Sequence, residues 1–186
     1  MILEKELGYI EDVSVRDEVR QIISDHEEWI RTYPVSISGR HHPHEPTMEI
    51  HLQRVVFFAK ELSKEWDLSK KDHDILIAAC LLHDIGSSRI TERILIDGDG
   101  WKAYPATGWS RKGDPNLHPL LGSLLIAERP FKYSREIQNL VETHMAHWHK
   151  KTCREPLSLL EVLCASSDYL ASREYLTINE ENDDEK

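Results

Sequence analysis

Cysteine is scarce in this chain: Cys80, Cys153 and Cys164 are the whole complement, odd in number and without CxxC spacing. That pattern excludes an all-thiolate metal cage and a disulfide framework, and predicts reduced thiols. Long apolar runs are also missing. The run ending at Leu82 falls far short of the roughly 20 residues that cross a bilayer. The first residues, Met1-Ile2-Leu3-Glu4-Lys5-Glu6, carry acidic charge where a signal peptide needs a basic start and an apolar stretch. A cytoplasmic protein with no membrane partner is expected. Basic residues are outnumbered, 23 Lys and Arg against 33 Asp and Glu, for a net charge of −10. This disfavours tight, nonspecific binding of long nucleic acid. A small phosphorylated ligand stays compatible, because local charge can oppose the global sign.

What is present is an ordinary apolar fraction, 40%, enough for one domain with one core, and an excess of histidine, 11 residues. The dominant period is helical. Val15, Val19, Ile22, His26 and Ile30 recur at helical spacing, with Ser14 and Asp17 as the start signal and Pro34 as the stop. The stretch from Ser36 to Pro46 reads as a polar loop, and its His41, His42 and His44 either form a local metal site or fold near a pocket mouth. Thr47 opens a helix whose stripe is Met48, Leu52, Val55, Ala59, Leu62 and Trp66, with His51 at its edge. Ser69 and Asp72 open the next, with Ile75, Ala79 and Leu82 on its buried face and Gly86 as its stop. Residues 87–116 read as a long loop of the kind that covers binding sites, with a short helix at Arg89–Ile96. Its Trp101, Tyr104 and Trp109 either stack on a base or anchor the loop. Helices resume near His118–Glu128, Glu136–His149 and Leu157–Tyr175.

His51, the pair His83-Asp84, His118, His144 and Asp168 thus fall in order along five successive helices. Any one buried histidine is more often a hydrogen-bonded core residue than a ligand. Four of them with two aspartates would fill a core at high desolvation cost, and metal coordination accounts for all of them together. Mixed imidazole and carboxylate ligands suit iron, manganese, nickel, cobalt or zinc, and disfavour magnesium or calcium alone. Two such metals about 3.5–4 Å apart share a water, lower its pKa and clamp a phosphoryl oxygen.

The order His51, then Ala78-Ala79-Cys80-Leu81-Leu82-His83-Asp84-Ile85-Gly86, then Ser167-Asp168-Tyr169-Leu170-Ala171 resembles the HD superfamily of metal-dependent phosphohydrolases. His118-Pro119-Leu120-Leu121-Gly122 and Val141-Glu142-Thr143-His144 are similar to the segments that supply second-metal histidines in its two-metal members. The resemblance implies an all-α fold, a single compact helical bundle with a long loop before the fourth core helix. Residues 47–175 would form the HD domain, 1–46 an N-terminal helix and polar loop packed on it, and 176–186 an acidic, disordered tail. It also implies that His51, His83, Asp84 and Asp168 bind one divalent transition metal. Asp84 would bridge to a second, held also by His118 and His144.

The activity implied is hydrolysis of a small phosphorylated substrate, a nucleotide or other phosphoester, through metal-activated water. Asp84 and His147 are the catalytic candidates. His147, three positions after His144, can act as an acid, bind phosphate or replace His144 as ligand, or can be a surface residue. Arg54, Arg89 and Lys150 are candidate substrate contacts, with Arg111 and Lys112 as further cations in the loop. The HPLLG stretch is similar to the two-metal dinucleoside tetraphosphate hydrolases, but the lysine that follows HDIG in many HD hydrolases is replaced by Ser87-Ser88-Arg89. Two other readings stand beside the hydrolase. One is a di-iron oxygenase of the same superfamily acting on a hydroxyphosphonate or polyol. The other is a non-catalytic metal-binding sensor or interaction module. A homodimer is compatible with all three.

Overall fold

The computed structural model describes residues 2–35, 47–93, 109–146 and 154–173. Among them are eight α-helices: α1 (Glu4–Leu7), α2 (Val13–Asp25), α3 (Glu27–Thr32), α4 (Met48–Ser63), α5 (Lys70–Leu82), α6 (His118–Ala127), α7 (Ser134–Thr143) and α8 (Leu159–Ala171). The fold is all-α, with one small addition. Strands β1 (Thr91–Arg93) and β2 (Trp109–Arg111) pair antiparallel, with Thr91 opposite Arg111. No described helix is long and apolar enough to cross a membrane.

The centre of the bundle is α5. Every residue from Asp74 to Leu82 is buried, and α1, α2, α4, α7 and α8 all pack against it. The sequence pattern anticipates one buried face. The structure surrounds the helix instead, which is what an unbroken apolar run permits. Ile2, Leu3, Leu7 and Ile10 join the same hydrophobic cluster as α4 to α8. Ser69 caps α5 by accepting the Asp72 amide at 3.1 Å, while the Asp72 carboxylate accepts the Ser69 hydroxyl.

Several local expectations are corrected. The start of α2 is set by Asp12, not Ser14: its carboxylate accepts the Ser14 and Val15 amides, and Ser14 sits inside the first turn. The buried Asp74 of α5 then accepts the Glu11 and Asp12 amides at 2.7 and 2.9 Å, tying this start to the central helix. The single helix expected up to Pro34 is two, α2 and α3, divided at His26, whose backbone leaves the helical region. Thr47 precedes α4 as expected, without a side-chain cap, and Trp66 lies beyond its end, 52% exposed.

Gly86 does not stop α5, which ends at Leu82; it lies inside a 3-10 turn, Ile85–Ile90, where its missing side chain admits the α6 backbone. Of the short helix expected at Arg89–Ile96, the described residues 89–93 form the end of that 3-10 turn and β1. Pairing with β2 accounts for the switch, and the Thr91 hydroxyl, which donates to the Ser87 carbonyl at 3.0 Å and accepts the Trp29 indole N–H at 3.1 Å, pins the strand to α3. Trp109 is an anchor: its indole N–H donates to the Thr32 hydroxyl at 3.1 Å, and its ring meets Tyr33 edge-on at 5.8 Å. Trp101, Tyr104, Cys153, the histidines of the 36–46 loop and the 176–186 tail lie outside the described residues.

Candidate metal centre

Six polar side chains meet inside the apolar bundle. His51 projects from the second turn of α4 and is 2% exposed. His83 caps the C-terminus of α5, and Asp84 follows it at the head of the 3-10 turn. His118 opens α6, His144 caps the C-terminus of α7, and Asp168 comes from α8. Four of the six thus sit at helix ends, where the chain can place side chains toward a common point without interrupting a helix.

The ligand-type atoms of His51, His83 and Asp84 lie within 4.8 Å of one another, as do those of Asp84, His118 and His144, and those of His83, His144 and Asp168. Asp84 is the hinge of the arrangement. Its Oδ2 faces His83 Nε2 at 3.3 Å and His51 Nε2 at 3.6 Å. Its Oδ1 faces His118 Nε2 at 3.0 Å and His144 Nε2 at 3.6 Å. Asp168 Oδ1 completes the first group, 3.2 Å from His51 Nε2 and 3.6 Å from His83 Nε2.

Backbone carbonyls orient the rings. The Nδ1 atoms of His83, His118 and His144 face the carbonyl oxygens of Cys80, Pro115 and Val141 at 2.8, 2.6 and 2.6 Å. A carbonyl only accepts, so each Nδ1 carries the hydrogen, and a neutral ring presents a bare Nε2 lone pair inward. His118 Nε2 and His144 Nε2 stand 2.9 Å apart, and His51 Nε2 and His83 Nε2 stand 3.2 Å apart. The close approach of His118 Nε2 to His144 Nε2 is satisfied by a proton on one ring or, with both rings neutral, by a cation between them. The donor set therefore fits divalent metal, with second-shell carbonyls fixing the ligating nitrogen.

Burial pushes the Asp84 carboxyl up, but His83, His118 and His144 outweigh it and hold it well below the usual range. Asp168 is depressed in the same way by His51 and His83. Burial opposes a charged His83 and a charged His118; Asp84, with Asp168 at His83, prevails and raises both. His144 goes the other way, pushed down by burial and by the neighbouring histidines.

The structure brings all six anticipated ligand-type residues together, and it gives two of the anticipated substrate contacts, Arg54 and Arg89, other surroundings. Arg54 lines a groove between α1 and α4 with Glu4, Tyr9 and Phe57, a groove that includes neither His51 nor Asp84. Arg89 is ion-paired with Glu128 at the surface. His147 and Lys150 lie outside the described residues. Cys80 and Cys164 are free and buried, their sulfurs 3.9 Å apart. Tyr33 was not anticipated. Burial pushes its phenol up to about 12, with Arg111 opposing the shift and Asp84 adding to it, and no periodicity or motif marks it. The carbonyls that fix the imidazoles are equally invisible in a string of side chains.

A family model described as HD domain matches residues 48–173. No curated protein and no solved structure matches the chain in the parallel comparisons.

Proposed function

Because the chain belongs to the HD domain family, we propose that it is a metal-dependent phosphohydrolase. It cleaves a phosphoester or phosphoanhydride bond of a small phosphorylated substrate, a nucleotide or a similar phosphoester. The observation that carries the reading is the division of Asp84, whose two oxygens face two different pairs of histidines. A carboxylate so placed is suited to span two cations and offset their mutual repulsion. His51, His83, Asp84 and Asp168 would hold one metal, and Asp84, His118 and His144 a second. The imidazole and carboxylate set favours iron, manganese, cobalt, nickel or zinc. When bound, such metals supply a water of lowered pKa and positive charge against the oxygens of the phosphoryl group.

The chain's own groups set the conditions for that chemistry. The Cys80, Pro115 and Val141 carbonyls hold three rings with Nε2 inward. Complete burial of His83 and His144 closes the back of the site to bulk water. The Asp84 side chain, 16% exposed against 9% or less for the four histidines and Asp168 that face it, marks the side from which a substrate enters. His147 is the candidate proton donor to the leaving group.

The test is phosphate release from nucleotides, dinucleotides and sugar phosphates by manganese-loaded protein under anaerobic conditions. Release that Asp84→Ala abolishes is expected. Oxygen consumption with iron on a hydroxyphosphonate or polyol, without phosphate release under any condition, would establish the oxygenase instead. Bound metal with neither activity would leave a sensor or interaction module.

A further inference from the structure

We propose that the groove between α1 and α4 is a second ligand site, which takes a small zwitterion of the amino-acid class. Its ammonium meets Glu6, its carboxylate meets Arg54, and its apolar side chain lies against Tyr9 and Phe57. The groove has a volume of about 480 Å³ and includes none of the six residues of the metal centre. That size is within the range of small-molecule sites. The inference does not rest on the phosphohydrolase reading.

Glu6 is the first observation. It lines the groove from α1 and is only 8% exposed. Among the described residues, no hydrogen bond or ion pair reaches its carboxylate. A carboxylate withdrawn from water is costly unless a cation or N–H donors meet it. The backbone on either side holds it there, because Leu3 and Leu7 are buried in the core and Glu4 is tied to Arg20 at 3.3 Å. The lysines of the groove do not answer it. Lys60 Nζ sits 3.4 Å from the centroid of the Tyr9 ring, a cation–π contact, and Lys5 is exposed.

Arg54 is the second. It lines the same groove from α4, half-buried, and it too has no hydrogen bond or ion pair among the described residues, with Glu6 or any other. The remaining acidic groups of the groove are already taken, Glu4 by Arg20 and Glu61 by Lys64 at 2.6 Å. One carboxylate and one guanidinium therefore face a shared groove without neutralising each other. An ion of a single sign would satisfy one and leave the other unmet, whereas a molecule that carries both signs satisfies both. A guanidinium takes a carboxylate through two parallel N–H···O bonds, which suits Arg54 to the acid end. The body of the ligand is apolar because the groove offers it apolar surface. Ile50 and Phe57, two turns apart on α4, are 42% and 39% exposed there.

The experiment is titration of phenylalanine and of leucine into the zinc-loaded full chain, followed by amide NMR spectra. Phenethylamine and phenylpropionate, which carry one charge each, are the controls. Saturable shifts are expected for the amides of α1 and of the Ile50–Glu61 stretch of α4. The single-charge controls should bind about tenfold more weakly, and Glu6→Gln and Arg54→Ala should each weaken phenylalanine binding by about tenfold. Arg89→Ala, whose partner is Glu128, should leave it unchanged. Urea midpoints and metal content confirm that each variant is folded; if Glu6→Gln is not, Arg54→Ala and the single-charge controls decide. No saturable shift with either amino acid would overturn the proposal, as would shifts confined to residues outside the groove. Equal binding of a single-charge control, or wild-type affinity in Arg54→Ala, would overturn it as well.

Discussion

A Cβ placed on Gly86 would lie 2.1 Å from the His118 carbonyl oxygen and 2.3 Å from the Gly122 amide nitrogen. Both are backbone atoms, so no side-chain rotation relieves the overlap. The 3-10 turn that begins beside Asp84 is pressed directly onto the helix that begins with His118, and that approach sets their 3.0 Å separation. Gly86→Ala should therefore destabilise the fold by about 3 kcal/mol and lower metal content by moving His118 from Asp84. Urea denaturation and elemental analysis read the two effects, and wild-type values in both would show that the contact yields.

Asp84 comes within 3.6 Å of histidines of both halves, whereas Asp168 Oδ1 comes that close to His51 and His83, with His144 farther off but within 4.8 Å. Asp84→Ala should remove most of the bound metal, and Asp168→Ala about half of it. Elemental analysis per chain checks this. Equal losses in the two variants would point to a single metal.

Metal uptake should release protons. Burial opposes a charged His83 and His118, but Asp84, with Asp168 at His83, outweighs it and raises both, so protons on these rings compete with a metal. Affinity should rise as pH increases from 6.5 through those raised values. His144, pushed down by burial, is already neutral at pH 7 and adds nothing to the release. Calorimetry of chelator-stripped protein in buffers of different ionisation enthalpy counts the protons. Zero release at pH 7 would contradict this charge assignment.

Glu161 predicts the acid behaviour of the fold. Its carboxylate accepts the Leu157 amide at 2.6 Å, the Ser158 amide at 3.1 Å and Arg154 Nη1 at 3.1 Å. Burial pushes its pKa up, but these partners prevail and hold it below 4.5. A carboxylate depressed in the folded state stabilises above its unfolded pKa and loses that contribution as pH falls through the folded one. Glu161→Gln should cost about 1–2 kcal/mol at pH 7, with the difference narrowing below pH 4.5. Urea midpoints at neutral and acidic pH measure it; a difference that does not change with pH would assign the effect to packing.

Much of the bundle was legible because helical periodicity is local. The stripe Met48, Leu52, Val55 and Ala59 is buried as its spacing predicts, and Ser69 opens α5 where a capping residue stands. Failures came where a distant partner overruled a local signal. Asp12 replaced Ser14 as the cap of α2 in a turn also held by Asp74, 62 positions away. Thr91 left the expected helix because its backbone pairs with Arg111 of β2, a partner 20 positions away.

The sequence by itself determined the chemistry of the site. His51, His83, Asp84, His118, His144 and Asp168 are the residue types that hold a divalent metal, and their spacing on successive helices was readable along the chain. Only the tertiary structure decided how they divide. Ligand type is a property of one side chain, but which oxygen of Asp84 faces which histidine depends on where α4, α5, α6, α7 and α8 cross. The same holds for the β1–β2 pair, which Trp29 through Thr91 and Trp109 through Thr32 fasten to α3.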